Sequence, residues 1–549
     1  MYVSNRVQPW PSKYPRSVSE SWVAKRLAAP MVTCDLKQIL MAVKAILVVA
    51  HFSRIRGIRK PSVTGEIASC RSRMLSVRRA SPNTDSGPAR HLARDGLSMS
   101  NDDILTRSET LTSGRHDGLT GQFDVPGDKS ISHRSFILGG LAIGTTRVTG
   151  LLEGDDVIAT GRAMQALGAG IIRDSDGSWT ITGVGTAGLV SPEASLDLGN
   201  SGTGVRLLMG VVAGLPVTAT FCGDESLSRR PMARVTDPLE LMGAKITARD
   251  GGRLPVTITG ARTPLAADHA SKVASAQIKS AVLLAGLNAR GTSVVREPHA
   301  SRDHTESMLR HFGANVRQQV EAGGTHVVEL EGEAMLTASD VVVPRDPSSA
   351  AFPMVAALIT EGSDLLIPGI GMNPLRTGLI TTLQEMGGDI EISNERNEGG
   401  ETVADLRVRH SRLRGIDVPA ERAASMIDEY PILAVAATQA EGTTRMLGVA
   451  ELRVKETDRI AVVAEGIIAA GGNVTYDEDS MSVTGSPVEG GMSIDSQHDH
   501  RIAMSFLTLG MVSADPITVT GCMTINTSFP GFAASMNGCG AALASVGDA

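Results

Sequence analysis

The segment VPGDKSISHR, residues 125–134, sets Lys129, Ser130, His133 and Arg134 behind a Gly turn and ahead of a long apolar run. Cations and hydroxyls where a helix begins are the parts of an anion site. The first backbone N–H groups there have no intrahelical partner, and the helix dipole favours negative charge. A plainer reading has Asp128 or Ser130 capping the helix while the cations face water. The spacing is not that of a GxxxxGK[ST] phosphate loop. By itself the stretch leaves both readings open.

Six further segments carry polar groups beside apolar helices. LGNSGTGVR, residues 198–206, is a Gly-rich turn entering a helix, able to bring backbone N–H groups close to an anion. SLSRRPMARV places Arg229 and Arg230 before a Pro, and of two adjacent cations at most one is expected to point inward. ASAQIKSAVLLAGL puts Ser275 and Gln277 at the first turn of a helix, and SMIDEYPILAVAA does the same with Asp428. Both Ser275 and Asp428 read equally well as helix caps. LRVKETDRI sets Lys455, Glu456 and Arg459 ahead of another helix, and HDHRIAMSF holds His500 and Arg501. The HDH triplet has no other His or Cys at a matching spacing, so no metal site is expected. If these helices aim their starts at one cleft, that cleft suits ligands bearing phosphate and carboxylate.

The elements that must position these groups repeat. ALGAGI, LMGAKI, HFGANV, EMGGDI, AAGGNV and GCGAAL each close an apolar-periodic helix with Gly and open a strand. Their first glycines are Gly168, Gly243, Gly313, Gly387, Gly471 and Gly540, which defines six helix–Gly–strand units. A second symmetry pairs VPGDKSISHRSFILGG with VPRDPSSAAFPMVAAL. Asp128, Ser130 and Gly144 align with Asp346, Ser348 and Gly362. The chain is therefore expected to form two similar halves of three units, hinged near residues 125 and 345, with the ligand between them.

A chain of 549 residues exceeds one ordinary core. Residues 1–98 hold 17 Lys and Arg against 5 Asp and Glu, while the whole chain carries a net charge of −7, leaving −19 on the remainder. Beyond residue 98 the only Trp is Trp179 and the only Tyr are Tyr430 and Tyr476. An acidic, aromatic-poor body offers neither an electrostatic track nor a stacking surface for nucleic acid. The five cysteines show no paired spacing, which fits reduced thiols. The apolar run at 39–50 is too short to span a bilayer. The Arg- and Ser-rich first hundred residues fit a transit peptide or, as the favoured reading, upstream sequence ahead of a natural start at Met99.

In combination and order, PGDKSISHR, GNSGTGVR, RPM, SAQIKSA, SMIDEYPILAVAA, RVKETDR and DHRIAMSF resemble the EPSP synthase (3-phosphoshikimate 1-carboxyvinyltransferase) family, its bacterial class II branch in particular. The resemblance runs from about residue 119 to the end. It implies an α/β fold of two similar domains, each of three βαβαββ units arranged as an inside-out α/β barrel, with the active site in the interdomain cleft. It implies transfer of the enolpyruvyl group of phosphoenolpyruvate to the 5-hydroxyl of shikimate 3-phosphate through a tetrahedral intermediate. By motif position, Ser130, Arg134, Ser275, Ala276, Gln277, Arg302, Asp428 and Lys455 would hold shikimate 3-phosphate. Lys129, Asn200, Gly202, Thr203, Arg230, Gln277, Arg459 and Arg501 would hold phosphoenolpyruvate. Asp428 would be the base and Glu456 the acid at the methylene, with Lys129 competing for that role.

The resemblance further implies no cofactor or metal, no nucleic-acid or membrane partner, a monomer, and a cytoplasmic location. The expected division is an extension over 1–110, one domain over 126–344, and a second over 111–125 plus 345–549. The chain departs from the family pattern in three places. Thr527 stands where many members have Lys, Arg345 replaces a commoner Gly at the second hinge, and Gly202 occupies a position where glyphosate-tolerant class II forms carry Ala. Altered closure is expected from Arg345, and readier inhibition by glyphosate from Gly202. The related UDP-N-acetylglucosamine enolpyruvyl transferases carry a loop Cys where this chain has Glu225. An RNA 3′-phosphate cyclase would need a basic RNA track that the acidic body lacks.

Overall fold

A computed structural model describes residues 105–546. The expectations for a leader and for Met99 lie outside the described residues. Six separate four-stranded sheets account for the strands, and none closes into a barrel. Each sheet has one parallel edge pair and two antiparallel pairings. In the second unit Leu196–Asp197 runs parallel to Thr218–Cys222, which pairs antiparallel with Arg253–Thr259, and that in turn with Lys245–Arg249. Helices Gly202–Ala213 and Ala233–Leu241 connect them, giving βαβαββ order.

The chain swaps strands to complete its two lobes. Val341–Val342 returns to pair with Ile143–Thr149 and finishes the first sheet of the N-terminal lobe. Thr110–Ser113 pairs with Ile517–Thr520 and Leu543–Ser545, and Thr120–Gln122 pairs with Asp364–Gly371, so both early strands belong to C-terminal sheets. The apolar cores divide likewise: one runs from Ile131 to Val343, the other joins Leu105–Val125 side chains to those of residues 350–543. Two chain crossings link the lobes side by side. Asp128 N–H donates to the Pro344 carbonyl at 2.8 Å, and Asp346 N–H donates to the Pro126 carbonyl at 2.9 Å.

Inside each lobe lie three helices apolar on nearly every face: Lys129–Leu141, Gly202–Ala213 and Ala276–Gly286 in one, Pro347–Ile359, Tyr430–Thr438 and His500–Gly510 in the other. Every residue of Pro347–Ile359 and of Tyr430–Thr438 is buried, so these helices show no polar stripe. Full burial of a Leu, Ile or Phe contributes about 1.5–3 kcal/mol each. Close helix approach uses glycine: a Cβ at Gly210 would lie 2.3 Å from the Ala281 carbonyl oxygen. The outer helices end at the six repeat glycines, all of which hold φ between 86° and 115°. That is the left-handed cap conformation a Cβ disfavours, which is why the Gly phrase recurs in every unit. Among the described residues no helix is long and apolar enough to cross a membrane.

Candidate active site

The six inner helices bring their N-terminal ends to one cavity of about 810 Å³ between the lobes. Local sequence caps four of these six starts. Asp128 caps the first helix through the N–H of Ile131 at 2.9 Å, Ser201 caps the second through Gly204, and Asp346 and Asp499 cap two of those opposite. Ser275 occupies an N-cap position but its side chain makes no capping bond, which leaves its hydroxyl for the cavity. Asp428 lies two residues before Tyr430–Thr438 rather than within its first turn. Of the adjacent arginines, Arg230 points inward while Arg229 pairs with Glu225 in solvent.

The N-terminal lobe lines the cavity with Lys129, Ser130, Gly202, Thr203 and Arg230, and with Ser275, Ala276, Gln277 and Arg302. The C-terminal lobe contributes Asp428, Lys455, Glu456, Arg459 and Arg501. Ion pairs cross between the lobes on this wall: Arg230–Glu456 at 3.1 Å, Arg302–Asp428 at 2.7 Å and, more exposed, Arg234–Glu451 at 3.3 Å. Asp428 also faces Arg459 at 3.2 Å and Lys455 at 3.4 Å. Burial pushes the Asp428 carboxyl up, but Lys455, Arg302, Arg501 and Arg459 outweigh it and hold the group well below the ordinary carboxylate range. Glu456 accepts from Arg459 at 2.6 Å as well as from Arg230, and against the same burial these cations hold it well below its ordinary value. Lys129 is tied to Asp156 at 2.5 Å. Altogether the wall carries nine Lys and Arg against six carboxylates, a positive surplus inside an acidic body. Such a surplus, with helix starts aimed inward, holds small anions. Among the described residues no group of His, Cys, Asp and Glu is placed to hold a metal ion.

Two of the expected substrate contacts lie off the wall. Arg134 is buried behind it, donating to Thr305 at 2.7 Å, to Ser280 at 2.9 Å and to the Ser130 carbonyl at 2.9 Å. Burial first, partly offset by Glu306 and Asp128, brings its guanidinium down to about 10. Asn200 accepts from Arg230 and donates to Asp224, and so orients that arginine. Conversely, sequence reading assigned no role to several wall residues. Arg206 ends the Gly-rich motif and donates to Gln277 at 3.0 Å; Gln277 donates on to Thr203 at 3.1 Å. Its place four residues after Gly202 on a helix was the available signal. Asp156 and Arg376 carried none, since each comes from a segment without motif character. At the second hinge Arg345 pairs with Asp124 at 2.8 Å and donates to the Val125 carbonyl, tying the crossings together outside the cavity. Thr527 donates to the Thr524 carbonyl and approaches His500 Nδ1 at 3.5 Å, so this position itself brings no charge to the site.

Two lobes of three βαβαββ units, closing on a cation-rich chamber that holds buried carboxylates, define an enzyme of the two-lobed enolpyruvyl transferase class. A family model for EPSP synthase (3-phosphoshikimate 1-carboxyvinyltransferase) matches residues 115–536, and the chain belongs to that family. A 3-phosphoshikimate 1-carboxyvinyltransferase of Parvibaculum lavamentivorans is 57% identical over 79% of this chain and 97% of its own. One from Bradyrhizobium diazoefficiens is 54% identical over 84% and 99%. The solved EPSP synthase of Acinetobacter baumannii superposes with a TM-score of 0.70 at 45% identity, covering 79% of this chain and 99% of that one. The enolpyruvyl transferase NikO of Streptomyces tendae, at 18% identity and a TM-score of 0.64, shares the fold.

Proposed function

We infer that this enzyme moves the enolpyruvyl group of phosphoenolpyruvate to the 5-hydroxyl of shikimate 3-phosphate and releases phosphate, by addition and then elimination. The observation that carries the residue roles is that two of the cross-lobe ion pairs, Arg302–Asp428 and Arg230–Glu456, each tie a cavity cation to a cavity carboxylate. In each, a cation suited to substrate is held by a carboxylate suited to proton transfer. Shikimate 3-phosphate takes Arg302 and Lys455, with Ser130, Ser275, Ala276 and Gln277 around it. Asp428 then loses part of the positive field that keeps it a weak base, and accepts the 5-hydroxyl proton as oxygen attacks C2.

Phosphoenolpyruvate takes Arg230, Arg459 and Arg501, beside Lys129, Gly202 and Thr203. With its two arginines engaged by substrate, Glu456 regains proton affinity, takes up a proton from solvent and delivers it to the methylene. Without substrate both carboxylates are held ionised, so proton transfer waits for both anions. In elimination Glu456 takes a proton back from the new methyl group, the C2–O bond to phosphate breaks, and Asp428 gives its proton up to the departing phosphate, which the arginines stabilise. Arg134 and Asn200 act from behind the wall, through Ser130 and Arg230.

On this reading the protein is a cytoplasmic monomer without cofactor, its two domains are residues 126–344 and residues 111–125 with 345–549, and glyphosate inhibits it. The test is phosphate release from phosphoenolpyruvate with and without shikimate 3-phosphate. Release that does not depend on that acceptor refutes the assignment.

A further inference from the structure

Behind the wall that carries Ser275, Ser301 and Arg302 lies a buried ionic cluster whose charged members, Glu297, Lys279 and Glu306, do not line the cavity. Glu297, 1% exposed, closes the strand Thr292–Glu297. Its Oε1 accepts from the backbone N–H of Ser275 at 2.8 Å and from the Ser301 hydroxyl at 2.9 Å. Its Oε2 accepts from the same hydroxyl at 2.7 Å and faces Lys279 Nζ at 3.0 Å. Lys279, 2% exposed, also pairs with Glu306 at 2.8 Å and donates to the Ser301 carbonyl at 3.2 Å. One carboxylate and one ammonium thus grip both segments that reach the cavity here, the one before Ala276–Gly286 and the one carrying Ser301 and Arg302.

The chemistry makes this more than core filling. A buried carboxylate is costly unless its oxygens are all satisfied, and Glu297 meets that condition only with Ser275 N–H, the Ser301 hydroxyl and Lys279 in place together. With those three partners in place, Ser275 and Arg302 face the cavity. The neighbouring cation Arg134 sits on the same helices through Ser280 and Thr305, so three wall segments share one network.

We propose that Glu297 and Lys279 are positioning residues for the acceptor substrate: they fix the wall that binds shikimate 3-phosphate and leave the phosphoenolpyruvate side alone. This rests on the reading that Ser275 and Arg302 belong to the acceptor side. Glu297→Gln tests it, because Gln keeps the shape but turns an N–H₂ toward Lys279 and unseats the grip. Calorimetric titration should show shikimate 3-phosphate binding weakened at least about tenfold, with the KM for phosphoenolpyruvate at saturating acceptor moving less than about twofold. Ser301→Ala removes the hydroxyl and no charge. It gives the same selective change in smaller measure, which keeps the test open if Glu297→Gln does not fold. Equal weakening of both substrates, or a lowered Tm with acceptor affinity intact in both variants, overturns the proposal. Arg302→Ala is the separate control. If it leaves acceptor binding intact, the assignment of this wall is at fault; if it weakens binding while the Glu297 and Ser301 variants do not, only the positioning role fails.

Discussion

Replacing Asp428 by Asn should slow turnover severely yet tighten acceptor binding. The carboxylate holds Arg302 at 2.7 Å and faces Arg459 at 3.2 Å and Lys455 at 3.4 Å, with its side chain 16% exposed. An arriving anion must take Arg302 away from Asp428, and must approach against its negative charge. Hydrogen bonds to charged groups contribute about 1.5–3 kcal/mol, and partial exposure puts this one near the lower end. The neutral amide relieves most of that competition, so affinity for shikimate 3-phosphate should rise roughly five- to tenfold, or about 1–1.4 kcal/mol. The amide accepts no proton from the attacking hydroxyl, so turnover should fall by about 10²–10⁴. Calorimetric titration with shikimate 3-phosphate alone gives the first quantity and single-turnover phosphate release the second. Binding weakened more than about threefold would show that Asp428 holds the acceptor rather than competing for its cations. Turnover retained within about tenfold would remove it as the base.

Other perturbations report on other parts of the molecule. At Gly202 an added Cβ would lie 2.9 Å from Arg230 Nη1 and 3.0 Å from Arg206 Nη1, so Gly202→Ala should displace those guanidinium groups. The inhibition constant for glyphosate should rise at least about tenfold, and more than the KM for phosphoenolpyruvate; equal changes would contradict the steric account. Arg376, between the two cap carboxylates Asp128 at 3.0 Å and Asp346 at 2.8 Å, is the buried cation that holds the hinge. Arg376→Met leaves both uncompensated and should cost about 3–5 kcal/mol in denaturant unfolding, unless the pair protonates instead, which would show as a variant much more stable at acid pH. His133 and His500 are held neutral, first by burial and then by nearby Lys129 with Arg134 or Arg501, well below the ordinary 6.5. The unfolded chain takes up protons there that the native state refuses, so stability should drop as pH falls below about 6.5, by about 1.4 kcal/mol per unit for each group. His133→Gln should lessen that slope in urea titrations between pH 7.5 and 5.

What could be read before folding was whatever chemistry repeats locally. The six Gly phrases are legible because a left-handed cap needs a residue without Cβ wherever a helix turns directly into a strand. The first helix start is legible because the Asp128 cap is a contact between near neighbours, whereas Ser275 makes no capping bond and Asp428 lies ahead of its helix, so cap chemistry alone misplaces them. The offset between Asp128 and Asp346 exposed the two halves, since both copies meet the same local demands at the same crossing. Which polar residue faces the cavity was not legible. Arg134 stands four residues after Ser130 on one helix, yet Thr305 and Ser280, from two other helices, draw it behind the wall. Nor does the sequence pair Arg302 with Asp428, or place Arg376 between two caps. Those outcomes belong to charges from distant segments that share one dry space, where burial makes each ion seek its nearest partner whatever the separation along the chain. The sequence determined the repeats, the helix starts and the stock of cations. The tertiary structure decided which cations stay available for substrate and which are consumed in holding the protein together.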